Sequence, residues 1–215
     1  MDTSLLQFLS GIIFLSILFQ HLTKKNFSAV IAYGIQSLAI AIMLFDSFLK
    51  TNDNSLLCIF LIVLIVKVIL APTFFIKLIQ KHKLTFSAST VLNVSLTLIC
   101  LGTLTAVAHS QKFLPLTNIV PEYHSFLSLS FAAIFISLFL IINRKGALSQ
   151  TLGILSLENC IVAFSIFAGL EQFPALQIGI IVNIAIWILI ATIFISMIYK
   201  HFGTLDITSI KSLKD

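Results

Sequence analysis

The sequence predicts an all-α, polytopic integral membrane bundle of about seven transmembrane helices, with its N-terminus outside and its C-terminus in the cytoplasm. Three observations carry this. Of 215 residues, 59% are hydrophobic and only 10% are charged, and the mean hydropathy is +1.10. Apolar runs near the length of a bilayer-crossing helix recur along the chain, and basic residues collect in alternate connections. This composition leaves too little polar surface to solvate a compact fold, which excludes a Rossmann enzyme, a soluble all-β domain and a disordered chain together. A closed barrel would alternate polar and apolar positions, whereas Cys58 to Val66 is apolar throughout.

The expected spans are 4–21, 27–48, 55–79, 86–109, 124–142, 147–170 and 175–200. The first lacks a positively charged start and a small-residue cleavage site, so it is expected to be a retained helix. Lys24, Lys25, Lys77, Lys81, Lys83, Arg144, Lys145, Lys200, Lys211 and Lys214 follow the odd-numbered spans, which puts ten of the 13 basic residues on one side. Lys50 and Lys112 lie on the other side with Asp2, Asp46, Asp53, Glu122 and Glu171, and the positive-inside rule therefore sets the orientation. The net charge of +5 is thus a topology signal, and no nucleic-acid partner is implied. The longest connection, His109 to Tyr123 with Pro115 and Pro121, reads as an external loop. A single transmembrane domain is expected, with four helices over 1–120, three over 121–202 and an amphipathic cytoplasmic tail over 203–215.

Two charges stand where lipid disfavours them. Lys67, in LIVLIVKVILAP, falls mid-span at an insertion cost of roughly 2.5–3.5 kcal/mol, which the surrounding Leu, Ile, Val and Phe offset. Five residues on, Pro72 removes a backbone donor and is expected to kink the helix. Glu158, in LGILSLENCIVAF, lies at similar depth in the sixth span, on a stripe with Thr151, Ser165 and Gly169. Desolvation favours its neutral form and a nearby Lys67 its charged form, a balance suited to proton relay; the alternative is a fixed ion pair that locks two helices.

Weaker polar positions point to a wet interior: Tyr33, Gln36 and Ser37 on the second span, Ser89, Asn93 and Thr97 on the fourth, and Asn183 on the seventh. Cys58, Cys100 and Cys160 are too scattered for a cluster ligand set and read as small buried hydrophobes. His21, His82, His109, His124 and His201 fall at span ends or in loops and read as surface residues, with no metal-ligand spacing. No P-loop, GxGxxG or GxSxG turn is present, and the connections are too short for a soluble catalytic cleft. The chain is therefore expected to be no complete enzyme and to bind no metal or redox cofactor.

With these landmarks placed, the sequence resembles the component E membrane subunit of hydrogenase-4 and formate hydrogenlyase-type complexes, the HyfE-like family. The resemblance rests on YGIQSLAI at Tyr33 to Ile40, VKVILAP at Val66 to Pro72, LEN at Leu157 to Asn159 and HFGTLDITSIKSLK from His201 to Lys214. It implies that the last three helices look like the NuoK-type small subunit of complex I, with Glu158 where that subunit carries a buried proton-path glutamate. It also implies a non-catalytic subunit of the bacterial cytoplasmic (inner) membrane, beside antiporter-like and other membrane subunits, with the nickel-iron and iron-sulfur chemistry in separate soluble subunits. The proton pathway then comprises Glu158, Lys67, Gln36 and Asn183. Asn183 stands where that resemblance leads one to expect a carboxylate on the last helix, and an amide cannot take and release a proton at ordinary pH. A self-sufficient small secondary transporter and a purely structural scaffold are the alternative readings.

Overall fold

In a computed structural model, residues 3–81, 84–85 and 90–170 are described, together with eight helical positions between 178 and 197. Within them the backbone is helical, with one isolated bridge between Thr90 and Arg144. The helices are α1 (Thr3–Leu22), α2 (Asn26–Thr51), α3 (Asn54–Val63), α4 (Ala71–Lys81), α5 (Val94–Ala108), α6 (Leu114–Thr117), α7 (His124–Asn143) and α8 (Ala147–Phe167). Five described helices are long and apolar enough to cross a membrane: α1, α2, the continuous Asn54–Lys81, Pro121–Asn143 and α8. The chain is a helical membrane protein. The expected seventh span, 175–200, and the tail fall almost wholly outside the described residues.

Local chemistry explains the helix ends. Asn52 closes α2 with φ 51 and donates its N–H to the Phe48 carbonyl at 2.8 Å, a left-handed cap that asparagine tolerates. One residue later Asp53 caps α3 by accepting from the N–H and hydroxyl of Ser55 at 2.9 and 2.6 Å, bonds that hold its carboxyl below the usual carboxylate range. A two-residue turn therefore suffices to reverse the chain.

One expectation about the spans gains detail and one needs correction. Asn54–Lys81 runs through Pro72 as one span of 28 residues. Just ahead of the proline lies a π-helical turn over Leu64–Leu70, after which the Ala71 N–H reaches back to the Val66 carbonyl. Opposite the proline, α2 carries Gly34, where a Cβ would lie in ordinary contact with Pro72 Cγ at 3.5 Å. The fourth helix starts at Val94 and not near 86. Ahead of it, Val91 N–H and Leu92 N–H bond to the Asn143 carbonyl and side-chain oxygen at 2.8 and 2.9 Å, which ties that non-helical segment to the end of α7. At 15 residues, α5 spans only about 22 Å, short of a bilayer core of about 30 Å. It continues, bent by 50°, into Gln111–Thr117. The expected external loop thus contains short helical turns, and Phe113 packs on Phe131 and Phe135 of α7 with ring centres 5.1 and 5.7 Å apart.

One apolar core joins α1, α2, α3, α5, α7 and α8 through Ile13, Ile17, Ile40, Leu44, Ile59, Leu101, Leu127, Ile136 and Ala163, all buried. A second, smaller core sets Tyr33 against Ala71, Phe75, Leu152 and Leu155. The α7–α8 hairpin closes at Gly153, where a Cβ would meet Ile141 Cγ1 at 2.9 Å and the Ile141 backbone nitrogen at 3.3 Å. Gly153→Ala is therefore expected to destabilise the bundle by about 1–3 kcal/mol through overpacking. Thermal unfolding in detergent checks this, and an unchanged or raised midpoint would show that Ile141 yields freely.

Candidate functional site

Of the residues that sequence reasoning singled out, Lys67, Gln36 and Ser37 come together at mid-length in the bundle, where α2, the π turn, α7 and α8 converge. Lys67 is 1% exposed, and its Nζ donates to Asn159 Oδ1 at 2.9 Å. The Asn159 amide in turn donates to Ser37 Oγ at 2.9 Å and more weakly to Gln36 Oε1 at 3.4 Å. Gln36 donates to the Ile13 carbonyl and Cys160 Sγ, both at 3.5 Å, and Cys160 Sγ lies 3.3 Å from Ser137 Oγ. Each of these side chains is buried, so the polar groups satisfy one another out of reach of lipid.

Glu158 is placed differently. Its residue is only half-buried, yet its Oε2 is buried and has no hydrogen-bond partner among the described residues. Lys67 is near enough to act on it through its charge, but no ion pair within 4.0 Å joins them. The fixed ion pair considered from sequence is thus not what holds α8 to the π turn; that contact runs through the neutral amide of Asn159. Tyr33 Oη, beside Ser37 and within the electrostatic reach of Glu158, also makes no well-formed hydrogen bond among the described residues. Pro72 lies one turn beyond Lys67 against Gly34. Asn183 and Ser89 lie outside the described residues. Asn93 is not a buried interhelical residue but the exposed N-cap of α5, accepting from the Leu96 N–H at 2.9 Å.

Chemically, the cluster divides into a fixed charge, an amide relay and a carboxyl. Lys67 supplies three donors, Asn159 and Gln36 each pass a hydrogen bond from donor to acceptor side, and among these groups Glu158 is the carboxyl able to exchange a proton. Two grooves, of about 460 and 620 Å³, lie elsewhere, between α1 and α2 and between α1 and α5. Their linings are dominated by apolar side chains, and they contain none of Lys67, Glu158, Asn159 or Gln36. Among the described residues, no group of three His, Cys, Asp or Glu side chains converges as a metal ligand set.

The chain is similar to the uncharacterized protein Rv0085 of Mycobacterium tuberculosis. The two are 26% identical over 173 residues, covering 78% of this chain and 76% of that one. No protein-family profile matches the chain, and no solved structure matches it.

A second buried polar group, missed in the sequence, ties the ends of α1, α7 and α8 together. Arg144, 4% exposed, donates from Nη2 to the carbonyls of Gln20, His21 and Thr23 at 2.7, 2.8 and 2.8 Å. These are the carbonyls that a helix C-terminus leaves unpaired, and a cation there also opposes the negative end of the α1 dipole. Burial lowers the guanidinium pKa from its ordinary value. His21 is not a surface histidine: it is 4% exposed, hydrogen-bonded through Nε2 to the Ile136 carbonyl at 3.0 Å and stacked on Phe139 with ring centres 5.2 Å apart. Of the three cysteines, Cys160 is buried, whereas Cys58 faces outward and Cys100 is intermediate.

Proposed function

We propose that this chain is a non-catalytic membrane-arm subunit of an assembly related to hydrogenase-4, formate hydrogenlyase and complex I, and that it contributes to a transmembrane proton pathway. The observation that carries this reading is the mid-length cluster: a fully buried lysine bonded to Asn159, which Ser37 and Gln36 hold in turn, beside a Glu158 carboxyl oxygen with no hydrogen-bond partner among the described residues. A bundle requiring only helix cohesion gains little from such groups, because each must be desolvated and paired. In this reading Glu158 exchanges the proton, Lys67 sets its electrostatic environment, and Gln36 and Asn183 hold waters in place of a second carboxylate. The chain crosses the bacterial inner membrane seven times, N-terminus outside, and its partners are antiporter-like and other membrane subunits. It carries no cofactor of its own.

Purification of the tagged chain from its native membranes in mild detergent tests the assembly. Antiporter-like membrane subunits and soluble hydrogenase-type subunits are expected to copurify in fixed ratio. A solitary chain that moves a solute on its own after reconstitution would overturn the reading in favour of a secondary transporter. Reporter fusions after Lys83, Lys145 and Lys214 are expected to read cytoplasmic, and an external signal at any of them would overturn the orientation.

A further inference from the structure

Between the Lys67 cluster and the end of the bundle marked by Arg144, a run of buried polar groups has no part in the pathway drawn above. Gln20 is 2% exposed; its Oε1 accepts from Ser156 Oγ at 3.0 Å, while its Nε2 has no hydrogen-bond partner among the described residues. A buried amide donor left bare costs roughly 1–3 kcal/mol, so this geometry calls for a ligand. Gln20, Thr23, Arg144 and Ser149 border a cavity of about 10 Å³, the lower limit for one water. On α8, Ser149, Ser156 and Asn159 are all buried and follow one another at spacings that keep them on one helical face. Ser156 stands only about 4.5 Å along the axis from Asn159, the residue that holds Lys67.

We propose that Gln20, Ser149 and Ser156 bind a short file of water that connects the Arg144 end of the bundle to the Asn159–Lys67 cluster. Gln20 Nε2 donates to the water nearest the cavity, and the serine hydroxyls, each both donor and acceptor, carry the file along α8. Its role as the supply leg of a proton path rests on the function proposed above; the water site itself does not.

The test uses the full chain in sealed native-membrane vesicles with Cys58, Cys100 and Cys160 replaced, so that Ser156→Cys supplies the only thiol. Silver ion, small enough to follow a water file, is added at the Arg144 face, and unreacted thiol is then labelled with maleimide after denaturation. Protection of Ser156→Cys is expected at least tenfold faster than that of Leu155→Cys, which is equally buried but packed in the apolar cluster around Tyr33. Adding Gln20→Leu is expected to remove most of that advantage. Equal rates at the two positions would overturn the water file; should Ser156→Cys fail to assemble, Ser149→Cys gives the same comparison. Because silver protection reads no proton flux, the two proposals separate. Fast protection with normal flux in Glu158→Gln keeps the water file and removes the relay, whereas slow protection with lost flux does the reverse.

Discussion

Glu158→Gln is expected to lower coupled proton translocation in vesicles at least tenfold while leaving subunit abundance and assembly near normal. Glutamine keeps the shape and a hydrogen-bonding oxygen but has no proton to exchange at neutral pH. Since the contact between α8 and the π turn runs through Asn159 and not through Glu158, the substitution leaves the Lys67 bond at 2.9 Å without a broken partner. That separation makes the experiment informative, because loss of flux cannot be ascribed to a loosened helix pair. Lys67→Met is the companion variant: it removes the nearest positive charge and is expected to change the pH profile of flux, with Lys67→Arg restoring part of it. Normal flux in Glu158→Gln at equal abundance would sink the relay and leave a scaffold as the better description.

The second large effect is expected from Arg144→Ala, at about 2–4 kcal/mol of stability. Hydrogen bonds to charged groups contribute roughly 1.5–3 kcal/mol each and do not add fully, and here three converge on one nitrogen. Removing them strands three carbonyls at the end of α1, where burial denies them water. Arg144→Lys is expected to recover part of the loss, since an ammonium is a point charge without the planar fork. A fall of at least about 4 °C in the thermal midpoint in detergent is the expected readout for Arg144→Ala. An unchanged midpoint would mean that other groups cap α1.

Much of the bundle was legible because bilayer thickness imposes a length on apolar runs, so α1, α2, α7 and α8 fall within a few residues of the expected spans. The errors arose where side-chain hydrogen bonds override hydropathy. The stretch before Asn93 is apolar enough to read as helix, yet Asn143 captures its backbone donors across the bundle, a contact no local window contains. Pro72 signals a local defect, but nothing in the residues beside it shows that a π turn over Leu64–Leu70 lies just ahead of it.

In the site, Lys67, Glu158 and Gln36 stood out because lipid penalises them one by one. Asn159 did not, since an uncharged amide beside a glutamate draws no notice, although Ser149, Ser156, Asn159 and Ala163 repeat on one face of α8 and the other stripe, through Thr151 and Glu158, was followed in its place. Arg144 and His21 were read by their place at span ends, where charge counts inform about sidedness and say nothing about burial. A guanidinium that leaves the interface to cap a helix 124 residues upstream is invisible to that rule.

That separation along the chain sets an order on biogenesis. When α1 leaves the ribosome, the residue that will cap it is unmade, and at about 5–20 residues per second it follows roughly 6–25 s later. Through that interval the last carbonyls of α1 must stay at the headgroup level, drawing on interfacial water, and the helix cannot settle to its final depth. Docking of the first helix thus waits for the α7–α8 hairpin, so that the chain is fastened only after its sixth apolar run has begun to insert. A protein built this way offers the insertion machinery a late proofreading step, in which a chain truncated before Arg144 exposes an unfinished helix end to quality control.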